Sequence, residues 1–380
     1  IGTALALKLI FGLPTVIGVA VTSLSTLLFL ALQNFGVRKL ESFMAAMVGV
    51  MSVCFMAEVG LLKGKDGGEI LEGIVVPRLP NGRALFIAIS LLGAVVMPHN
   101  LFLHSALVLS RSFKMGERSL RAALQYNVVE SGIALAVTLF INFAVVIVAA
   151  QAIAAADAED PTGARRQEIV DRPLQNAPDM LRHVLGGAAK SLFAAALLAS
   201  GQSSTITGTY AGQFVMEGFL ELRINPVLRS ALTRSAAIVP SMLVTVIAGD
   251  QYAEYLIVVS SVVLFFQLPF ALIPLIKFCG SPQIMGAMVI NRHTLRATHV
   301  ITALIVVANM VLIVQSISDS GAVDGSLGGV FTGLLVAACA VVYCGCLLWL
   351  AVRPVTQNLL PQVSKRLREA QHLRGQGSEG

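Results

Sequence analysis

Charged residues are scarce in this chain. Asp, Glu, Lys and Arg make up 13% of its 380 residues, whereas hydrophobic residues make up 56% and the mean hydropathy is +0.80. Soluble globular domains typically contain about 25% charged residues. The shortage of charge therefore excludes an ordinary water-soluble fold and predicts an integral membrane protein.

The motifs of several other protein classes are missing as well. The five cysteines show no CxxC spacing, which excludes the common zinc and redox motifs and indicates small residues buried between helices. Neither a Gly-rich phosphate loop nor the spacing of a nucleophile and its base is present, so we expect that the protein is not an enzyme. We attribute the net charge of +6 to contact with anionic lipid headgroups, and we expect no nucleic-acid partner.

The hydrophobic residues are grouped into ten blocks, and about 20 helical residues are needed to cross the hydrocarbon core. The first block is too short to span, lacks the basic start of a signal peptide and has no initiating Met, so we expect a fragment that begins inside a helix. The pattern predicts an all-α polytopic membrane protein. The blocks lie at about 1–13, 15–32, 42–62, 84–110, 126–153, 184–201, 227–248, 254–276, 299–316 and 329–351.

The basic residues are distributed unequally between the two sides of the membrane. Alternating the connections places seventeen Lys and Arg on one side and eight on the other. Cytoplasmic loops carry the excess of basic residues, so the C-terminal tail is predicted to be cytoplasmic. We expect one transmembrane domain over 1–352 and a polar, partly disordered tail over 353–380. The hydrophilic connections at 63–83 and 154–183 are predicted to be solvated loops on the opposite side, and the acidic one at 154–183 could also concentrate cations near an entrance.

The block at 84–110 contains polar residues in its middle, in the segment AVVMPHNLFLHSA (94–106). Because Pro98 has no backbone N–H, the carbonyl of Ala94 loses its usual partner four residues on, and the helix is predicted to break here. In lipid such a carbonyl must be satisfied by protein, water or an ion. Together with the thioether of Met97 it suits manganese, iron, cobalt or cadmium better than sodium, calcium or magnesium. The alternative is a proline kink with Met97 as a gap filler.

His99, Asn100 and His104 add two imidazoles and an amide to the same segment. Polar groups at mid-membrane depth usually have a function. Imidazole changes charge near neutral pH, which suits coupling to a proton gradient. Metal ligation and a neutral, hydrogen-bonded core histidine are the alternatives, and we favour proton transfer.

A divalent cation that leaves water also needs anionic compensation, which a carbonyl and a thioether cannot provide. Inside the apolar blocks, away from their ends, the carboxylates are Glu58 and Glu130. Either could be the partner, but neither adjoins a second helix break. We therefore expect that a further acidic anchor is missing from this sequence.

Two longer segments resemble motifs of a known family. GAVVMPHNLFLHSALV (93–108) and ASGQSSTITGTYAGQFVMEGFL (199–220) are similar to motifs of the Nramp family, the natural resistance-associated macrophage proteins, which are proton-coupled manganese and iron transporters. Further similar segments follow in the family's order, and the resemblance covers essentially the whole chain. They are IGTALALKLIFGLP at the start, FGVRKLESF (35–43), VVESGIAL (128–135), LTRSAAIVP (232–240) and QLPFALIPLI (267–276).

The resemblance implies an inverted-repeat secondary transporter fold of the LeuT-like type. In this fold two five-helix repeats have opposite topology, and helices one and six are broken at the midplane and hold the ion. The ten blocks would then be family helices three to twelve, with 84–110 as helix six. The chain would lack the first two helices and the start of the third.

The resemblance also implies roles for individual residues. It assigns metal binding to the carbonyl of Ala94 and the sulfur of Met97. It assigns proton coupling to two histidines and to two arginines of the exit route toward the cytoplasm, namely His99, His104, Arg111 and Arg234. Candidate pathway or supporting residues are Asn100, Glu130, Ser261 and Gln202.

The chain also departs from the family pattern. The Asp-Pro-Gly-Asn motif of family helix one, which supplies a metal-binding Asp and Asn, has no counterpart in any block, since DPTG at 160–163 lies in a hydrophilic connection. The acidic residues at the start of family helix three are absent too. Ser261, a shorter and weaker ligand, stands where relatives often carry Asn or Gln near the ion. For the Ser/Thr-rich stretch 201–213 we expect helix packing and gating support rather than substrate contact.

The leading hypothesis is proton-coupled symport of manganese(II) and iron(II) by alternating access, without a resident cofactor and with a monomeric transport unit. The expected location is the plasma membrane or an endosomal, lysosomal or vacuolar membrane. The alternatives are a non-transporting regulatory protein on the same membrane domain and a carrier of another substrate, either magnesium or an amino acid. Only 27 residues follow Arg353, which disfavours a soluble signalling region.

Overall fold

The computed structural model describes residues 2–22, 37–61, 67–76, 82–111, 116–160, 163, 189–219, 226–248, 250–319 and 327–354. These segments are helical, with no β-strand among them, which confirms the predicted all-α class. A helical stretch at 15–22 follows the first helix, and a short 3₁₀ helix covers Gly286–Met288. The α-helices, numbered in chain order, are α1 (Gly2–Phe11), α2 (Val37–Leu61), α3 (Gly67–Val75), α4 (Gly82–Val95), α5 (Pro98–Ser110), α6 (Glu117–Glu159), α7 (Ala189–Phe219), α8 (Pro226–Ala248), α9 (Asp250–Cys279), α10 (Pro282–Met285), α11 (Arg292–Asp319) and α12 (Leu327–Val352).

Six helical segments are long and apolar enough to cross a membrane, and each coincides with one of the ten predicted blocks. The other four blocks fall on α1, on the stretch that begins at 15, on α7 and on α8. The prediction of a multi-pass membrane protein is confirmed. The six segments are Glu41–Gly60, Ala84–Ser110, Arg118–Gln151, Tyr255–Cys279, Arg292–Gln315 and Val330–Val352.

Two predictions from the sequence need correction. The connection at 63–83 contains the helix α3. After its first two glycines, this helix has the run EILE, whose glutamates and leucine favour helix. The cysteines are also less uniform than predicted, since Cys54 is buried whereas Cys339, Cys344 and Cys346 are exposed. The predicted connection at 154–183 begins with the end of α6, and its residues 161–162 and 164–183 lie outside the described residues. The tail from 355 also lies outside them, so the domain boundary at 352 stays a prediction.

One compact unit comprises residues 1–85 and 99–260. Its centre is α7, which packs against α1, α2 and α8. Gly201 of α7 lies so close to Thr3 of α1 that an added Cβ would overlap Thr3, so glycine is required for this approach. On another face of α7, the Thr207 hydroxyl donates a hydrogen bond to the Met44 sulfur of α2 at 3.3 Å. Small residues thus let the helices of this unit approach closely.

The second compact unit comprises residues 86–98 and 261–380. Within it α11 packs against α12, and the end of α12 is tied to α9 by Lys277. The Lys277 ammonium donates hydrogen bonds to the carbonyls of Leu350, Ala351 and Arg353 at 2.8, 2.9 and 2.5 Å. Because the last carbonyls of a helix have no intrahelical partner, this cation caps the C-terminus of α12.

Candidate functional site

The helix predicted to break at Pro98 is interrupted there. Helix α4 ends at Val95 and α5 begins at Pro98, so Val96 and Met97 lie between the two halves. The Val96 amide still donates to the carbonyl of Leu92 at 2.8 Å, but the carbonyl of Ala94 cannot receive the next bond because Pro98 has no N–H. The interruption therefore places a backbone carbonyl without its helical donor three residues before a thioether.

Gly93 brings α4 into close contact with α9, next to this interruption. Gly93 is buried, and an added Cβ would overlap the Ser261 carbonyl and press on the Cβ of Phe265. Ser261 is itself buried. The structure thus places Ser261, a predicted pathway residue, beside the residue that precedes Ala94.

A second proline effect, which the sequence reasoning missed, lies one turn further along α9. Pro269 frees the carbonyl of Phe265 in the same way that Pro98 frees that of Ala94. The side-chain amide of Asn309, a fully buried residue of α11, donates to the Phe265 carbonyl at 3.3 Å and to the Tyr343 hydroxyl at 2.9 Å. The signal in the sequence was QLPF, because a freed carbonyl inside a membrane helix needs a donor.

Tyr343 of α12 completes this arrangement. Its hydroxyl donates to the Phe266 carbonyl at 3.2 Å, and its ring meets those of Phe266 and Phe270 edge to face. Helices α9, α11 and α12 are therefore joined by hydrogen bonds at the proline, within one turn of Ser261. We call Asn309, Tyr343 and the carbonyls of Phe265 and Phe266 the α9 clamp.

The polar residues after Pro98 begin α5. His99 is half-buried in its first turn, whereas His104 is exposed one turn later. The side-chain oxygen of Asn100 is buried and has no hydrogen-bond partner among the described residues. A buried amide oxygen without a donor can accept a hydrogen bond from water or bind a cation.

At the end of α5 the structure pairs Arg111 with Glu130 of α6. The guanidinium donates to both carboxylate oxygens, at 2.5 and 2.8 Å, and to the Asn127 oxygen at 3.3 Å. Glu41 of α2 lies 4.0 Å from the same guanidinium. The hydrogen bond to Glu130 raises the pKa of Arg111 above its ordinary value, so the arginine stays charged.

Glu130 also interacts electrostatically with His104. Glu130 was predicted only as a possible partner of the cation or a supporting residue, and the structure connects it with Arg111 and His104, which were predicted to serve proton movement. Glu41 and Asn127 were not predicted, because helix register is needed to bring them to Arg111. Arg234 belongs to α8, but its side chain lies outside what the structure describes, so its predicted role stays a prediction.

The Ser/Thr-rich stretch 201–213 is helical throughout, as part of α7. The hydroxyls of Thr205, Thr207 and Thr209 each donate a hydrogen bond to the backbone carbonyl four residues earlier. These hydroxyl donors therefore find their acceptors within α7 itself. The side-chain oxygen of Gln202 is buried and has no partner among the described residues. The stretch 201–213 belongs to the helix that packs on α1 and α2, which agrees with the predicted role of this stretch in helix packing.

Another part of the same stretch borders a cavity of about 560 Å³ inside the first unit. Its hydroxyl-bearing lining comes from α1, from the helical stretch at 15–22, and from α7 and α8. The residues are Thr3, Thr22, Ser200, Ser204, Thr205, Thr209, Thr233 and Ser241.

Comparison with known proteins gives consistent matches. The Nramp family model, described as natural resistance-associated macrophage protein-like, matches residues 1–315. The chain is 48% identical over 316 residues to the metal transporter Nramp1 of Populus trichocarpa, covering 83% of this chain and 58% of that protein. It is 42% identical over 363 residues to the metal transporter Nramp3 of Oryza sativa subsp. japonica, covering 95% and 65%.

The fold is similar to that of a solved manganese transporter. A mutant of the Eremococcus coleocola protein superposes with a TM-score of 0.72 and 27% identity, over 92% of this chain and 74% of that one. The chain spans less than two thirds of the length of each of the two plant relatives. The predicted LeuT-like transporter fold is confirmed by this structural match.

Proposed function

Because this chain belongs to the Nramp family, we propose that the complete protein is a symporter of divalent transition-metal ions and protons. Its substrates would be manganese(II) and iron(II), moved across the membrane by alternating access. The observation that carries the proposal is the helix interruption at Met97 and Pro98. It joins a free carbonyl and a thioether inside a segment that crosses the membrane.

The metal would bind at this interruption. Ala94 would supply its carbonyl and Met97 its sulfur, and the contact of Gly93 with Ser261 supports a place for α9 at the same site. A carbonyl and a thioether are neutral, so a carboxylate must compensate the charge of the ion. For this role we propose the Asp-Pro-Gly-Asn motif typical of the family, in the complete gene product.

The protons would move through α5 toward the cytoplasm. His99 and His104 would accept protons, because an imidazole nitrogen can bind and release a proton. The interaction of His104 with Glu130, and of Glu130 with Arg111, supports a route that continues to the end of α5. Arg111 would act as a fixed positive charge that orients the Glu130 carboxylate.

The remaining features of the proposal follow from the sequence. The C-terminal tail would be cytoplasmic, the transport unit monomeric, and the membrane either the plasma membrane or that of an endosome, lysosome or vacuole. The protein would need no resident cofactor, and it would be a carrier rather than an enzyme.

Uptake by the complete gene product in proteoliposomes tests the proposal. We expect manganese uptake that is faster when the outside is more acidic than the inside. His99→Ala should remove most of this acceleration, whereas His299→Ala, at an exposed histidine of α11, should leave it unchanged. Manganese uptake without any response to the gradient would contradict proton coupling. No uptake at all would favour the non-transporting alternative.

A further inference from the structure

Glu58 is a buried carboxyl group that the proposed mechanism does not use. It lies in α2, inside the membrane-crossing segment Glu41–Gly60, and its exposure is 0%. Neither of its carboxylate oxygens has a hydrogen-bond partner among the described residues. Glu130, by contrast, is more than half exposed and is paired with Arg111.

An ionised carboxylate in this position would be strongly destabilised. Desolvation of an unpaired carboxylate costs at least several kcal/mol even after the protein relaxes. Such a group is neutralised either by a proton or by a bound cation. The burial of Glu58 therefore requires a neutralising partner.

The neighbouring groups that the structure describes do not supply a positive charge. Cys54, one turn earlier on the same face of α2, is also buried and interacts electrostatically with Glu58, but a thiol carries no positive charge. Helices α6 and α7 pack against α2, and none of their described Lys, Arg or His side chains forms an ion pair with Glu58. The titratable groups of those helices that the structure describes are, besides Glu130, Arg118, Arg121, Tyr126, Asp157, Lys190 and Tyr210.

A metal ion is also a poor candidate for the neutralising partner. Divalent cations need several ligands, and calcium or magnesium about six oxygens. Within the part of the chain that the structure describes, no group of three or more His, Cys, Asp and Glu residues could hold a metal ion. A proton needs only the carboxyl group itself.

We propose that Glu58 is a proton-binding site of the transporter, separate from His99 and His104, and that it holds its proton in the conformation described here. The inference extends the proton coupling of the proposed function, but the presence of this proton does not depend on transport. Loss of the proton would leave a buried anion. Glu58 would therefore release it only in a conformation in which water or a cation reaches the carboxylate.

Infrared difference spectroscopy of the complete gene product in lipid nanodiscs tests this site directly. At neutral pH the wild type should show the C=O stretch of a protonated carboxylic acid, and Glu58→Gln should lose one such acid. Glu72→Gln, at an exposed residue of α3, should keep it. If the Glu58→Gln difference spectrum instead contains carboxylate bands, whether or not added manganese shifts them, Glu58 is ionised and the proposal is wrong.

A second variant keeps the test valid if Glu58→Gln does not fold. Glu58→Asp retains an acid at nearly the same place, so it should shift the carboxylic acid band rather than abolish it. An unchanged band would mean that the acid belongs to another residue and would overturn the proposal. Neither spectrum depends on uptake, so failure of the proton site can be separated from failure of the transport function.

Discussion

Arg111 and Glu130 hold the charged end of the proposed proton route in a fixed geometry. The guanidinium engages both carboxylate oxygens, the bidentate arrangement that makes arginine pairs stronger and more directional than lysine pairs. An arginine is charged throughout the physiological range, and this pairing raises the pKa of Arg111 further. The pH dependence of transport should therefore come from the histidines and Glu58 and not from Arg111.

Substitution at the pair should show that the two residues act as one unit. We expect Arg111→Gln and Glu130→Gln each to slow proton-driven manganese uptake, because each leaves one charge without its partner. The double variant should be no slower than either single variant, since contacting residues are not additive. Initial uptake rates of the four proteins measure this coupling. Losses that add in the double variant would show that the two residues act independently.

The sequence identified Arg111 and Glu130 separately but could not pair them. They are nineteen positions apart on two different helices, and the contact depends on how those helices are rotated. The residues at the interruption could be predicted, since the loss of the Ala94 bond follows from the covalent structure of Pro98 alone. The sequence thus predicts a residue's hydrogen bonding where this depends on neighbours along the chain, and it does not predict contacts between different helices.

Among the helices, the contact between α4 and α9 depends on a single glycine. An added Cβ on Gly93 would overlap the Ser261 carbonyl, and that carbonyl is backbone that cannot rotate away. The two helices would have to separate to accept it. Separation would displace Ala94, which follows Gly93 directly.

Gly93→Ala should therefore destabilise the protein and slow transport. Overpacking of a tight contact costs about 1–3 kcal/mol. Gly132→Ala on α6 is the matched control, because a Cβ there meets no atom within 4 Å, and alanine favours helix. Thermal unfolding midpoints in detergent and uptake rates compare the two variants. Equal behaviour of both would contradict the close contact between α4 and α9.

The α9 clamp predicts a stability effect in a different place. Tyr343→Phe removes the hydrogen bond to the Phe266 carbonyl and the acceptor for Asn309, while it keeps the edge-to-face ring contacts. We expect a loss of about 1 kcal/mol per hydrogen bond and a lower unfolding midpoint. Tyr126→Phe, at a tyrosine that is 76% exposed, should leave the midpoint unchanged. A midpoint for Tyr343→Phe equal to that of the wild type would show that the clamp does not stabilise α9.

The α9 clamp also shows which part of the helix contacts could not be predicted from the sequence. Pro269 identifies the freed carbonyl, but its donor Asn309 comes 44 positions after Phe265 on another helix. Helix α7 also extends beyond its apolar block, which ends at 201, to Phe219. In this polar part, threonine hydroxyls donate to carbonyls of the same helix, which a hydropathy pattern does not reveal.

At the scale of the whole molecule, hydropathy predicted the membrane class and the positions of the helices. It could not predict which residues of different helices meet, and this decides the roles of Glu130, Ser261 and Glu58. The resemblance to Nramp proteins supplied the fold, which the match to a solved manganese transporter confirms.

The most direct measurement is competition by calcium for manganese uptake in proteoliposomes that contain the complete gene product. The soft thioether of Met97 should disfavour calcium, which prefers oxygen ligands. We predict that Met97→Ala makes calcium a roughly tenfold better inhibitor, equivalent to about 1.4 kcal/mol of relative affinity. Met56→Ala, at an exposed methionine of α2, should behave like the wild type. Unchanged exclusion of calcium by Met97→Ala would contradict the account, because the helix interruption would then not select the metal.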